Sequence, residues 1–342
     1  MRNALSPTKG RDKKTRLCTF DIETIKWTRP YALGFYEPGN YKEFDGQHCI
    51  KEFIEFFFTY KNRNKICYAH NGGKFDFSFI LHELNKQKNK KKFQIDMIRI
   101  GSRIAQIKVT RLSHNAKKVK KESWVLRDSV SLLASTLKKL TNNFSVKHLK
   151  GDFDHTKINW KNWKELKHEW SPYLESDCRG LFEVLKKFES YLMKKFDCSI
   201  NKNMTIAQLS MSIYRRKYLN RTINSYTHIE ANIRKSYFGG RTEIFNMHGK
   251  DLKYFDVNSL YPSVMRFKPM PVGVPIKSFI MTLEDFGIIK AKVTCPDDLD
   301  IPLLPHRGKD KKLRFPKGTW TGFYTTPELK KAQEIGYDIK II

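Results

Sequence analysis

The chain has 342 residues, enough for two domains at the usual ~150 residues each, so one small domain is excluded. Lysine and arginine number 65 against 35 aspartates and glutamates, a formal net charge of +30 that implies a polyanionic partner. Hydrophobic residues at 40% and aromatic residues at 13% exclude a disordered basic tail, so the charge decorates a folded body.

The first sixteen residues, Met1 to Arg16, are polar and basic without a signal-peptide core. No apolar run approaches the ~18 residues of a membrane helix, so a soluble, non-secreted protein without a membrane partner is expected. Asp12 and the shortness of the segment argue against an import peptide and leave a basic arm over 1–16. The six cysteines stand singly, with no C-x-x-C and no zinc spacing, and read as reduced thiols. Alternation predicts strands over Arg16 to Ile22 and Lys65 to His70, and a hairpin from Phe93 to Val109 turning at Gly101-Ser102. Helical spacing over Phe75 to Leu84 and Ser131 to Leu140 makes this an α/β domain, 17–200. Lys86 to Lys92 and Lys117 to Lys121 interrupt the pattern as solvated loops, there either for solubility or for backbone phosphates.

Pro172 suits a helix start, and from it Leu174, Leu181, Leu185, Phe188 and Leu192 mark a long amphipathic helix to Phe196. A further helix, Thr205 to Leu219, ends in Arg215-Arg216-Lys217 and leads toward Gly239-Gly240, where a new domain begins; linker and second domain fill 201–342. From Pro269 onward prolines leave only short strands such as Gly287 to Val293. No internal repeat is visible, and the chain reads as cut off at Ile341-Ile342.

Asp21 and Glu23 stand two apart on the first strand and share a face, with Phe20 and Ile22 on the other. Two carboxylates held together repel unless a cation lies between them, and hard oxygen ligands suit Mg2+ or Mn2+. Alone, such a pair is an exposed acidic edge; a metal site needs more carboxylates. Asn71-Gly72-Gly73-Lys74-Phe75-Asp76 follows a strand and opens a helix, its glycines allowing close approach of a ligand backbone. Tyr173 and Asp177, four apart, lie side by side on the long helix. Four carboxylates and a phenol are the set with which a two-metal phosphodiester hydrolase works.

In this order the three segments resemble the exonuclease motifs of proofreading family B DNA polymerases with tyrosine in the third motif. Thr136-Leu137-Lys138-Lys139-Leu140 and Leu149-Lys150-Gly151-Asp152-Phe153 resemble two further segments of the protein-primed branch, found in phages and mitochondrial linear plasmids. The resemblance implies an RNase H-like 3'-5' exonuclease domain with Asp21, Glu23, Asp76 and Asp177 as metal ligands, Tyr173 orienting the water and Lys150 offsetting phosphate charge. It further implies that Thr24, Asn71, Phe75, Thr136 and Leu137 bind single-stranded DNA. An aromatic such as Phe75 can stack on an unpaired base, and Asn71 can reach sugar or phosphate without base preference.

Tyr237-Phe238-Gly239-Gly240-Arg241 precedes Asp256-Val257-Asn258-Ser259-Leu260-Tyr261-Pro262-Ser263, with Asp256 expected to end a strand and Ser259 to lie near a helix cap. The second string resembles the first palm motif of family B polymerases, and the first resembles the family's Y-x-G-G segment. By resemblance Asp256 binds the metals of nucleotide transfer, Tyr261 packs under the incoming deoxynucleotide, and Tyr237, Gly239 and Gly240 contact DNA. A second acidic position and a basic clamp on the triphosphate are not found. Asp298-Leu299-Asp300 follows Pro296 too closely after Asp256, and Asn224-Ser225-Tyr226, which resembles the fingers motif, precedes it.

The resemblance therefore implies the exonuclease domain and partial palm of a protein-primed DNA polymerase, with the start of the insertion that meets the terminal protein. Its partners would be primer and template DNA, single-stranded DNA, dNTPs and a terminal protein. A free-standing exonuclease and a non-catalytic basic nucleic-acid module remain alternatives. Richness in lysine, asparagine, phenylalanine and isoleucine suits an AT-rich replicon, which favours a mitochondrial plasmid over a cytoplasmic phage, viral or plasmid setting.

Overall fold

The computed structural model describes residues 4–13, 16–87, 89, 92–115, 118–224 and 227–342. The chain folds as two units, one of residues 6–222 and one joining residues 4–5 to 223–342. After β1 (Ala4–Leu5), which belongs to the second, come β2 (Leu17–Ile25), β3 (Arg29–Glu37), β4 (Asn40–Asp45), α1 (Cys49–Phe57), β5 (Ile66–Ala69) and α2 (Asp76–Gln87). The first unit continues with β6 (Phe93–Ile100), β7 (Arg103–Asn115), β8 (Lys118–Asp128), α3 (Leu137–Asn143), α4 (Lys167–Phe196) and α5 (Ile206–Lys217).

Its seven strands form one mixed sheet in the order β4-β3-β2-β5-β8-β7-β6, with β2, β5 and β8 parallel. The alternation of β2 splits the core between the two faces. Cys18, Phe20 and Ile22 join Phe53, Phe57, Phe77 and Ile80 of α1 and α2 on one face. On the other, α4 covers the sheet with Leu174 and Cys178 at one end and Leu181, Leu185 and Leu192 along its length. Alternation in the strands and helical spacing in α4 thus produce the expected α/β layers.

Several boundaries differ from expectation. Helix α4 begins five residues before Pro172, which lies inside it; the first turn needs no N–H from within the helix, so a proline just beyond it loses one bond and is tolerated. The helix expected over 131–140 starts only at Leu137, because Thr136 takes the N-cap and its side chain accepts from the Lys139 N–H. Lys118 to Lys121 form the start of β8, laddered on Leu112 to Asn115, where a loop was expected; Lys117, Lys88, Lys90 and Lys91 lie outside the described residues. Helix α5 packs its Leu209 with Leu192, Cys198 and Ile200 in the first unit, so this unit runs past the expected boundary at 200.

The arm is also docked where described. Asp12 is 4% exposed, accepts from the Ser199 N–H at 2.9 Å and pairs with Arg216 and Lys202. Arg215 donates to the Ser6 carbonyl, so the basic cluster that ends α5 is partly spent on holding the arm.

The second unit pairs β1 with β9 (Ile223–Asn224), then carries α6 (Thr227–Ile233) and α7 (Leu260–Phe267). It closes with β10 (Ile288–Cys295), β11 (His306–Arg307), β12 (Leu313–Arg314), β13 (Gly318–Thr325), α8 (Thr326–Glu334) and β14 (Asp338–Ile341). A three-stranded antiparallel sheet β13-β10-β14 and α8 share a small core around Ile289, Val293, Tyr324 and Leu329. Helix α8 and β13 went unrecognised in the proline-rich reading. Their signal was present: Thr325 and Glu328 form a capping box, with Pro327 in the first turn where its missing N–H costs nothing.

Candidate active site

On β2 the odd-numbered residues face α4. Thr19 Oγ1 donates to the Cys178 carbonyl at 2.7 Å, and Asp21 and Glu23 follow on the same face. Gly34 on β3 is the register partner of Asp21, and a Cβ there would lie 2.9 Å from both Cys178 Sγ and Leu174 Cγ. Only a glycine lets α4 settle this closely on the strand pair. Tyr173 and Asp177, one turn apart on α4, are thereby brought over the strand carboxylates. Ligand oxygens of Asp21, Glu23 and Asp177 all lie within 4.8 Å of one another, the only such group of three or more metal-ligating side chains among the described residues.

Lys150 reaches the same place through a second glycine. A Cβ on Gly180 would lie 2.5 Å from the His148 carbonyl, so the segment leading to Lys150 can lie against α4 only because that position is bare. Lys150 Nζ bonds the Tyr173 hydroxyl at 2.6 Å and pairs closely with Asp177 Oδ2. Burial disfavours the lysine charge, but Asp177 and Asp21 outweigh it and raise the Lys150 pKa. Burial also pushes up Tyr173, Asp177 and Asp21, and Asp21 is driven well above the carboxylate range with added repulsion from Asp76, Asp177 and Glu23.

Asp76 opens α2 and is 3% exposed. It stands outside the close group of three, yet burial and then Glu23 and Asp128 push its pKa up to about 7. Asp76 Oδ1 and Asp177 Oδ1 are buried without a hydrogen-bond partner. Orphaned carboxylate oxygens beside mutually repelling carboxylates are what a hard divalent cation would satisfy, so the residues present fit one.

The loop before Asp76 is organised by residues that the sequence did not single out. Asp128, fully buried at the end of β8, accepts from the Asn71 N–H at 3.0 Å and the Gly73 N–H at 3.2 Å. Arg103 donates from Nη1 to Asp128 Oδ2 at 2.7 Å and to Asn71 Oδ1 at 3.0 Å. Asn71 itself is left-handed at φ 65° and exposed. Both glycines serve this packing: a Cβ on Gly73 would meet the Ile104 carbonyl at 2.1 Å, and one on Gly72 would lie 2.7 Å from the Ala69 Cβ, so the protein's own atoms already come close to both. His155, five residues past Lys150, places Nδ1 3.1 Å from Glu23 Oε2, and this bond raises the His155 pKa.

Of the residues expected to bind a strand, Phe75 is half-buried beside the carboxylates' loop and Thr136 is exposed. Thr24 and Leu137 are buried, the former within β2 and the latter in the core against α4.

The second unit gathers its motif residues differently. Tyr237 is 78% and Tyr261 73% exposed, and Tyr261 lies at the start of α7, its hydroxyl 3.5 Å from where a Cβ on Gly240 would be. Asp256 is exposed and ends no strand; residues 252–257 lack ladder partners. Ser259 stands at the N-cap of α7 but makes no capping bond. Asp298 and Asp300 lie exposed in a turn, and Asn224 is in β9, Ser225 and Tyr226 being outside the described residues.

The family described as DNA polymerase type B, organellar and viral, matches residues 58–168 and 159–342. A probable DNA polymerase of Neurospora intermedia is 29% identical over 80% of this chain and 33% of its own length. The DNA-directed DNA polymerase of Enterobacteria phage PRD1 is 28% identical over 76% of this chain and 41% of its own. The chain spans about a third of the length of the fungal relatives it matches. Among solved structures, Phi29 DNA polymerase complexed with primer-template DNA and incoming nucleotide substrates has the same fold, with TM-score 0.72 and 21% identity over 95% of this chain and 60% of its own. Phi29 DNA polymerase complexed with single-stranded DNA matches at TM-score 0.63 and 20% identity, covering 95% of this chain and 58% of its own.

Proposed function

Because this chain belongs to the organellar and viral type B DNA polymerases, we propose that its first unit removes nucleotides from the 3' end of single-stranded DNA. The observation that carries this is the convergence of Asp21, Glu23 and Asp177 beneath the Lys150–Tyr173 pair. Divalent cations, Mg2+ or Mn2+, held by Asp21, Glu23, Asp177 and Asp76 would supply Lewis-acid polarisation of the phosphodiester and a more acidic water. Lys150 fixes the Tyr173 hydroxyl, which stays neutral and so can accept from, or donate to, a water that it aims. The Lys150 ammonium also offsets the charge that grows on phosphate oxygens during attack. Asn71, held by Arg103, and Phe75 would grip the strand.

The second unit would contribute Asp256 and Tyr261 to nucleotide addition in a protein-primed replication polymerase, with primer-template DNA, dNTPs and a terminal protein as partners, in a mitochondrial plasmid or a phage-like replicon. Asp256 belongs to no cluster of three ligands among the described residues, so this chain alone is not expected to extend a primer. The test is shortening of a 5'-labelled single strand by the purified chain. Stepwise loss from the 3' end with Mg2+ or Mn2+ and none in excess chelator is expected; robust cleavage in chelator would refute the reading.

A further inference from the structure

Trp27 is an expensive residue where it stands. It is 72% exposed, at the turn between β2 and β3. Both central residues of that turn are left-handed, Lys26 at φ 50° and Trp27 at φ 60°, and the Thr28 N–H closes it on the Ile25 carbonyl at 3.2 Å. Such a turn favours asparagine and glycine; a bulky aromatic there is both strained and unburied. Neither turn chemistry nor core packing accounts for it.

Its neighbours do. The indole lies 5.8 Å from the Phe75 ring, near perpendicular, and 6.2 Å from the His155 ring. Phe75 continues to Phe79 at 5.2 Å, and His155 to Tyr173 at 5.6 Å. Trp27 is thus the exposed middle of an aromatic chain whose inner members touch Glu23, through His155, and Lys150, through Tyr173. Lys26 precedes Trp27 in the chain and Lys74 precedes its ring partner Phe75, and both lysines are exposed. A solvent-open aromatic face with lysines adjacent in the chain, next to a site that acts on phosphodiesters, is the chemistry that holds an unpaired base while its phosphates are neutralised.

We propose that Trp27 is the stacking platform for a base of the single strand entering this site, a positioning residue that aligns the strand's end with the carboxylates. The proposal rests on the exonuclease reading for its purpose, but the stacking can be measured apart from hydrolysis. Binding of a fluorescent oligothymidylate to the full chain is measured in chelator, for the wild type, Trp27→Ala, Trp27→Phe and Trp27→Gly. Alanine should weaken binding roughly tenfold, phenylalanine should restore most of it, and glycine should bind as poorly as alanine while melting no lower than wild type, since glycine suits the turn.

Abasic sites at the last three positions of the oligonucleotide should weaken binding to the wild type by a clearly larger factor than binding to Trp27→Ala, where only Phe75 remains to stack. With Mg2+, the loss in Trp27→Ala should fall on KM rather than kcat. Equal affinity of wild type and Trp27→Ala, or equal sensitivity of both to abasic ends, overturns the platform. A wild type that binds through Trp27 but never hydrolyses upholds it and overturns the exonuclease reading instead.

Discussion

Asp177 and Asp256 are both expected metal ligands, and the two units treat them in opposite ways. Asp177 is 1% exposed, one of its oxygens has no partner, and a lysine, a tyrosine and two further carboxylates crowd it. Asp256 lies in an exposed stretch without ladder partners, amid open Tyr254, Phe255 and Val257, each more than 60% exposed. The first arrangement stores electrostatic repulsion, which only a rigid sheet and helix can hold in place; such cost is characteristic of working sites. Around Asp256 no group of three metal-ligating side chains gathers among the described residues.

The largest expected effect divides the two. Replacing Asp21 and Glu23 together by alanine should lower single-strand degradation about a thousandfold, roughly 4 kcal/mol of transition-state stabilisation, because a cation is lost. Asp256→Ala should change that rate by less than about twofold, as it shares no ligand with the first site. Gel assay of a 5'-labelled strand reads both. A large loss in Asp256→Ala would mean that the two carboxylate sets act as one.

Next comes Lys150→Ala, expected to slow degradation about a hundredfold by freeing the Tyr173 hydroxyl and removing a cation from the phosphate's surroundings. Lys150→Arg should recover part of this. Equal rates for wild type and Lys150→Ala would reduce the lysine to a structural partner of Asp177.

How much of this was legible turns on range. Asp21-x-Glu23 could be placed on one face because strand period is local, and Tyr173 with Asp177 because helix spacing is local. Arg103 and Asp128 were invisible: they act on Asn71 from 32 and 57 positions away, and no pattern around them marks it. His155 had a faint signal in its closeness to Lys150, and Trp27 none until its backbone was seen. Two placements that the motifs alone do not convey also have physical reasons. Leu137 belongs to an amphipathic helix and obeys it by entering the core, and Gly73 admits the Ile104 carbonyl, which comes from a hairpin whose docking the sequence does not encode locally.

Gly34 could have been read, since an isolated glycine inside a strand pattern signals close approach. It offers a smaller, structural test. Gly34→Ala should destabilise the protein by about 1–3 kcal/mol through overpacking against Leu174 and Cys178. Because α4 must lift, the rate of strand degradation should fall further than the population of folded protein does. Thermal melting and initial rates on the same preparation check this. A stability loss with full activity per folded molecule would show that α4 can shift without moving Asp177.

The smallest expected effect is the most direct reading of the stored repulsion. Asp21, Asp76 and Asp177 all have raised pKa values when folded, Asp76 at about 7, whereas unfolded aspartate titrates near 3.9. Between these limits the folded state binds more protons than the unfolded state, so the cation-free protein should lose stability as pH rises from about 4 through 7. Above that the part of the penalty that comes from Asp76 is fully present. A divalent cation competes for the same oxygens and should stabilise the fold most when they are deprotonated. Mg2+ or Mn2+ at several times its Kd, worth about 1 kcal/mol, should raise Tm by about 2–4 °C at pH 8 and by much less at pH 5. Asp21→Asn should abolish the cation's effect and, by relieving repulsion, leave the cation-free protein more stable than wild type at pH 8. A cation shift of the same size at both pH values, or one that survives in Asp21→Asn, would place the ion elsewhere, and the contrast between a charged, strained first site and an exposed Asp256 would fail.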